Sequence, residues 1–383
     1  MTTFINAQIV TPGGIVAGSL VCVGETIDSV VSGSVQRGDG PVIDVRGGYL
    51  LPGFIDTQVN GGGGVLFNDE TNVAGIAAIG RAHRTYGTTG FLPTLISDEL
   101  SVIDKAMRAV EAAIEQGVPG VIGIHIEGPF ISKERKGIHN PEMFRTLDAD
   151  SKALLKSLKR GKTLVTLAPE RCTPEDIAEL SAAGVILAAG HTNATYDTMV
   201  EALNAGVTGF THLFNAMSPM LHRAPGVVGA ALENQTSYSG LIMDGHHVDW
   251  PVLRVALNAR PANRYMLVTD AMPTVGSKQK TFVLNGKTIH VENGVCVGDD
   301  GTLAGSDLDM VTAVRNCIQL AHASITDTAI MAATAPADFV GVGAARGSLV
   351  AGQRADIVWL DKDLNIQGTF IGAAQDEPLQ MTA

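Results

Sequence analysis

The sequence predicts an α/β chain: a (β/α)8 barrel of the TIM type with a small β-sandwich domain built from both chain termini. Three observations carry that prediction. Eight short apolar segments between positions 53 and 271 alternate with helical patterns, the mark of a parallel sheet covered by helices. Chemically active residues recur at several strand ends, which favours a barrel mouth over the single crevice of a doubly wound sheet. Glycine-punctuated β texture appears near the start, in "FINAQIVT", "GSLVCVG", "TIDSVVSG" and "PVIDVRGGYLL", and returns in "GSLVAGQRADIVWLD" and "LNIQGTFIG".

In chain order, the small domain is expected over residues 1–51 and 345–383, and the barrel over 52–344. The barrel strands are "GFIDTQV", "TTGFLPTLI", "VIGIHIE", "TLVTLAPE", "GVILAAGH", "GVTGFTH", "SGLIMDG" and "YMLVTDA". Between them lie helical patterns such as "SVIDKAMRAVEAAIEQG", "TPEDIAELSAAG" and "TYDTMVEALNAG", all ending at glycine. Two of these open on a capping-type residue, Ser101 or Thr173. After the eighth strand, Asn-Gly at 285–286 and 293–294 signals tight turns, so a β-hairpin insertion is expected at about 280–300 on the barrel rim.

The bulk numbers narrow the function. A chain of 383 residues, 45% hydrophobic and 17% charged, can bury a full core. A formal net charge of −12 with no basic run argues against nucleic-acid binding. No apolar stretch reaches bilayer-spanning length, and the start "MTTFINAQIVTPGG" lacks the features of a secretory signal. A cytoplasmic protein without a membrane partner is therefore expected. Cys22, Cys172, Cys296 and Cys317 are scattered without CxxC spacing and read as reduced thiols, not as a metal site.

Four apolar strands end on Glu127, His191, His212 and Asp270, at intervals of 64, 21 and 58 residues. Each alone has an ordinary explanation, since a strand histidine is more often a hydrogen-bonded core group and a carboxylate can hold a turn. Brought together at one barrel mouth, two imidazoles and a carboxylate supply three ligands for a divalent cation and leave a position for water. An aspartate beside that water can take its proton and return it to a leaving group. His139 in "RKGIHNP" and His247 in "MDGHHVD" follow strand ends and are further candidates for the mouth. His125 shares a strand face with Glu127 one layer deeper and is expected as a supporting or core histidine. His83, His290 and His322 are expected in surface-like settings without a role, and His246 is expected to point away from the mouth. The first strand leads into "NGGGG", which lacks the helix-start signature of a phosphate loop.

"LPGFIDTQVNG", "HIEGPF", "KGIHNP", "AGHTNAT", "THLFNAM", "MDGHHVD", "VTDAM" and "GTLAGS" occur in this order along nearly the whole chain. Together they closely resemble the N-acetylglucosamine-6-phosphate deacetylases of the amidohydrolase superfamily. The resemblance implies a metal-dependent hydrolase of a linear amide. Its reaction would convert N-acetyl-D-glucosamine 6-phosphate to D-glucosamine 6-phosphate and acetate in amino-sugar metabolism. It implies Glu127, His191 and His212 as metal ligands, Asp270 as general base and acid, and His139 as a stabiliser of the oxyanion.

Some members of that family carry two histidines on the first strand and hold two metals, whereas others carry Gln-x-Asn and hold one. Gln58 and Asn60 resemble the second kind, which implies one divalent ion per subunit. Zinc suits nitrogen and carboxylate ligands, with iron, cobalt and manganese as alternatives. Substrate contacts are implied at Ile138, His139, Asn215, Ala216, His247, Leu303, Ala304 and Gly305, and a phosphate contact at Arg223. A homodimer or homotetramer is implied, in which Arg223 could serve a neighbour's site.

The motifs do not separate N-acetylglucosamine 6-phosphate from its N-acetylgalactosamine epimer. A cyclic amidohydrolase fits less well, because Lys162 starts its strand and does not end it. A sugar-phosphate sensor without catalysis would have no need for a proton shuttle such as Asp270.

Overall fold

The eight apolar segments pair in sequence order into one parallel sheet. In the computed structural model, which describes residues 1–33 and 40–375, these strands are β1 (Phe54–Val59), β2 (Thr88–Ile96), β3 (Gly123–Glu127) and β4 (Lys162–Leu167), followed by β5 (Ile186–Ala189), β6 (Gly209–Phe210), β7 (Tyr238–Leu241) and β8 (Tyr265–Leu267). Every residue of β1, β2 and β3 is buried, which accounts for their unbroken apolar pattern. The barrel expected from the sequence is present.

No ladder joins β1 to β8. The seam is closed one step beyond, where the Asp270 N–H donates to the Gln58 carbonyl at 3.0 Å and the Asn60 N–H donates to the Ala271 carbonyl at 2.9 Å. Ring closure thus brings the end of the first strand and the end of the eighth side by side.

Helices cover the barrel as the sequence suggests. Pro174–Ala182 starts on a capping box in which Thr173 accepts from the Asp176 N–H, with proline in the first turn. For the helix Leu100–Glu115, expected to be capped by Ser101, the cap residue is Glu99 and makes no side-chain cap bond. Ser101 falls inside the first turn, because the chain has already entered the helix at Leu100.

Strands from both ends form one eight-stranded sheet, in the order Ala374–Gln375, Ile366–Ile371, Ile357–Leu360, Tyr49–Pro52, Thr2–Thr11, Gly14–Val23, Thr26–Ser32, with Val42–Asp44 also on Thr2–Thr11. Phe4 and Phe370 lie on strands separated by two others, a span of about 14 Å in a flat sheet. Their rings nevertheless meet edge to face at 4.9 Å. The sheet therefore folds back on itself as a sandwich around its own core of Phe4, Ile9, Leu20, Leu50, Ile357 and Phe370. Of the small domain expected over 1–51 and 345–383, residues 34–39 and 376–383 lie outside the described residues.

The rim insertion is larger than a hairpin. Thr281–Leu284, Lys287–Glu292, Val295–Gly298 and Leu303–Ser306 make a four-stranded antiparallel sheet. Both Asn-Gly turns are used, with Asn285 and Asn293 in the left-handed conformation that such turns require. Its apolar side packs with Leu66, Ile96 and Met272, which ties the insertion to the barrel mouth.

Gly123 opens β3 opposite Lys162 of β4 and has no room for a side chain, since a Cβ there would collide with the backbone of Lys162. Gly123→Ala is expected to cost about 2 kcal/mol of stability through this overpacking. Urea denaturation of the two proteins measures it, and an unchanged midpoint would show that the strands can separate at no cost.

Candidate active site

Glu127 closes β3, and His191 and His212 each lie two residues beyond the ends of β5 and β6. One carboxylate oxygen, Glu127 Oε1, is 3.1 Å from His191 Nε2 and 3.0 Å from His212 Nε2, and the two imidazole nitrogens are 3.1 Å apart. All three side chains are buried. His191 Nδ1 sits 2.8 Å from the Arg135 carbonyl, an acceptor only, so Nδ1 carries a proton and Nε2 is the atom turned to the carboxylate. Three ligand atoms held this close need positive charge among them, a proton in the metal-free protein or a cation at their focus, and ligand atoms around a tetrahedral zinc are spaced by about 3.4 Å. The donor set fits a divalent metal.

A second, overlapping trio exists, because ligand atoms of Glu127, His139 and His191 also lie within 4.8 Å of one another. The hydrogen bonds of His139 tell against it as a ligand. Its Nδ1 accepts the Ser97 backbone N–H at 3.3 Å and lies 2.8 Å from Ser97 Oγ. Burial, followed by the neighbouring His191, pushes its pKa down to about 3, so the ring is neutral. The single proton must then reside on Nε2, which makes His139 a donor. His125, by contrast, is a satisfied core histidine between Thr94 and Thr166. His83 departs from its expected surface setting. It is fully buried, with Nε2 2.8 Å from the Gly61 carbonyl, because the helix carrying it packs against the glycine turn after β1.

Asp270 faces this trio from the seam. Its Oδ1 accepts from Asn60 Nδ2 at 2.7 Å and from Gln58 Nε2 at 3.1 Å. Gln58 Nε2 also lies 3.1 Å from both oxygens of Glu127. The two amides therefore occupy the space between the carboxylates as hydrogen-bond donors. Burial, and then the charge of Glu127, raise the Asp270 carboxyl to about 6. Burial also pushes on Glu127, but its contacts with His191 and His212 outweigh that and hold it well below the usual range. Two neighbouring carboxylates with pKa values driven apart are suited to different tasks. His191, His212 and Asp270 all have positive φ, 47°, 31° and 53°, a backbone strain that clusters at functional sites.

These groups line a cavity of about 320 Å³, within the range of small-molecule sites. Ile138, His139, Asn215, Ala216, His247, Leu303 and Gly305 line it as expected, as does Asn60. Two expected contacts do not. Ala304 is fully buried in the apolar cluster beneath the insertion, because strand alternation turns it away from its neighbours. Arg223 is exposed on the loop before the helix Gly226–Glu233, outside the lining of this cavity. Sequence reading missed Ser97, Asp244 and Arg135, whose contributions come from pairing with His139, with His247 and with His191. Only Asp244 carried a local signal, three residues before His247 in "MDGHHVD".

A family model, the amidohydrolase family, matches residues 49–382. The chain belongs to that family. Over 374 residues it is 39% identical to an N-acetylgalactosamine-6-phosphate deacetylase of Shewanella sp., covering 96% of this chain and 93% of the relative. It is 32% identical to the N-acetylglucosamine-6-phosphate deacetylase of Haemophilus influenzae, covering 97% and 98%. The crystal structure of N-acetylglucosamine-6-phosphate deacetylase from Pasteurella multocida matches with a TM-score of 0.95 at 34% identity, over 98% of this chain and all of that one. This amidohydrolase has no helix among its described residues long and apolar enough to cross a membrane.

The raised Asp270 pKa has a stability consequence in the metal-free protein. Between the ordinary value of 3.8 and about 6, the folded state binds more protons than the unfolded one. Stability therefore falls as pH rises through that window, and the penalty is complete at pH 7. Asp270→Asn is expected to stabilise the chelated protein at pH 7 by on the order of 2 kcal/mol and to flatten its stability between pH 4 and 6. Denaturation across that range checks it, and an equally pH-dependent variant would refute the assignment.

Proposed function

We propose that this chain hydrolyses the acetamide of an N-acetylated amino-sugar 6-phosphate, with N-acetyl-D-glucosamine 6-phosphate as the reference substrate. The observation that carries the reading is the placement of Asp270, held by two amide donors beside the Glu127, His191 and His212 trio in one buried cavity. The Shewanella relative supports a second reading, the N-acetylgalactosamine epimer. The family and both named relatives support amide hydrolysis over a cyclic substrate or a sensor.

Glu127, His191 and His212 would hold one divalent ion, with zinc the natural fit and iron, cobalt or manganese as alternatives. When bound, the ion supplies Lewis acidity toward water and the acetamide carbonyl. Asp270 Oδ then takes the proton of the attacking water and delivers it to the departing nitrogen. His139 Nε2–H donates to the carbonyl oxygen as negative charge develops there. Gln58 and Asn60 keep Asp270 oriented between these events, in the place where a second cation would otherwise offset its charge. His247, Asn215 and Ala216, with Ile138, Leu303 and Gly305, hold the sugar phosphate.

Arg223 matches a phosphate contact by resemblance but is exposed outside the lining of its own cavity, so it would act on the site of a neighbouring subunit in a dimer or tetramer. The enzyme would work in the cytoplasm, in amino-sugar metabolism.

Acetate release by the zinc-loaded protein tests the reaction, with both sugar phosphates and unphosphorylated N-acetylglucosamine at equal concentration. Fast release from a phosphate ester alone supports the proposal and the ratio of the two esters assigns the epimer, whereas no release from any of them ends it. Asp270→Asn is expected to lower kcat by at least about a thousandfold with metal content retained.

Arg223→Ala and Asp270→Asn subunits, each inactive alone, should regain activity when mixed if the sites are shared. Mixtures no more active than their parts would place Arg223 outside the mechanism of a neighbour.

A further inference from the structure

We propose that Asp56, a buried acid that takes no part in lining the cavity, is a positioning residue for Asp270. Acting through Thr269, it fixes the backbone that aims the Asp270 carboxylate at the Glu127 trio. The inference rests on the proton-transfer role given to Asp270 above and adds to it what holds that group in place.

Asp56 lies two residues deeper along β1 than Gln58, and its side chain is fully buried. Its Oδ1 accepts two backbone N–H groups, from Gln58 at 3.1 Å and from Thr269 at 3.3 Å. Its Oδ2 accepts the Thr269 hydroxyl at 2.5 Å. One carboxylate therefore bridges the end of β1 and the segment past β8, where no ladder joins the two strands. A side chain supplies there the acceptors that strand carbonyls supply elsewhere in the barrel. Burial raises the Asp56 carboxyl to about 7 even though all three donors pull it down. Neutral, directional donors meet this acid, and each of them belongs to the seam.

Thr269 immediately precedes Asp270, and every polar group it carries is engaged. Its N–H and hydroxyl donate to Asp56, Oγ1 accepts the Ala271 N–H at 3.2 Å, and its carbonyl accepts from Ser306 Oγ at 2.6 Å. The next peptide is held as well, since the Asp270 carbonyl accepts the Ser306 N–H at 2.9 Å. Such clamping matters because Asp270 has φ 53°. A left-handed backbone at a residue with a side chain persists only where its surroundings enforce it. Released from Asp56, the Thr269–Asp270 segment is free to relax toward the ordinary region. The Asp270 carboxylate would then swing off Asn60 Nδ2 and Gln58 Nε2, now 2.7 and 3.1 Å away. Asp56 thus acts on the reaction without touching substrate or the trio.

The test uses the zinc-loaded protein and N-acetylglucosamine 6-phosphate, comparing wild type with Thr269→Val, Thr269→Ser, Asp56→Asn and the double variant Asp56→Asn/Thr269→Val. Valine keeps the branched shape of threonine and removes only the hydroxyl. Thr269→Val is expected to lower kcat about tenfold or more at unchanged KM, because a misaimed proton carrier slows the chemistry and leaves binding alone. Thr269→Ser, which restores the hydroxyl, should recover most of that loss. The double variant should fall no further than the more impaired single one, since both changes cut the same link. In a crystal structure of Thr269→Val, the Asp270 carboxylate should be displaced from Asn60.

Folded variants with kcat within about twofold of wild type would show that Asp56 only closes the barrel, and would overturn the inference. Losses that multiply in the double variant, or an Asp270 carboxylate unmoved in the Thr269→Val crystal, would do the same. Melting temperature and zinc content show which variants are folded, and Asp56→Asn carries the comparison where Thr269→Val does not fold. Wild type that releases no acetate ends the proposed function, whereas an active wild type with unaffected variants ends this inference alone.

Discussion

Two backbone hydrogen bonds across the barrel seam, from Asp270 to the Gln58 carbonyl and from Asn60 to the Ala271 carbonyl, govern what the barrel mouth can do. They join the end of β1 to the segment just past β8, where no regular ladder continues. The side-chain amides of Gln58 and Asn60 are thereby delivered to the Asp270 carboxylate, 3.1 and 2.7 Å away. A shift of one residue at this seam would turn Gln58 and Asn60 to the other side of the strand, since side chains alternate. The fold's closure and the position of the Asp270 carboxylate are the same physical event.

Charge balance follows from that closure. Glu127 and Asp270 are two acids facing one small volume, and each is disfavoured there by burial. Glu127 is relieved by two imidazoles, whereas Asp270 is met only by neutral amides. One carboxyl is thus driven down and the other up, so that environment alone sets the two acids apart.

The site is held against its own strain. Left-handed backbone at His191, His212 and Asp270 and a buried acid with a raised pKa both oppose stability. The surrounding molecule resists them through buried strands, a continuous core and second partners for three of the rings, the Arg135 carbonyl for His191, Ser97 for His139 and Asp244 for His247. These partners come from loops that also line the cavity. Substrate contact and orientation of the reactive groups are consequently coupled through the same short segments.

The sequence by itself determined the barrel, because period, burial and strand-end chemistry are all local patterns, and eight of them recur in order. It also pointed to Glu127, His191, His212 and Asp270, since each ends an apolar strand and strand ends share one face of a barrel. Thr173 was legible as a helix cap for the same local reason. Only the tertiary structure decided what depends on pairing between distant segments. Ser97 bonds to His139 from 42 residues away, Arg135 offers its carbonyl to His191 across 56, and Gln58 reaches Asp270 across 212. His83 was placed on the wrong side of the surface for a related reason, because burial of a side chain in a covering helix is set by what packs over it. A one-dimensional pattern records which face an element presents, but not which neighbour arrives to cover it.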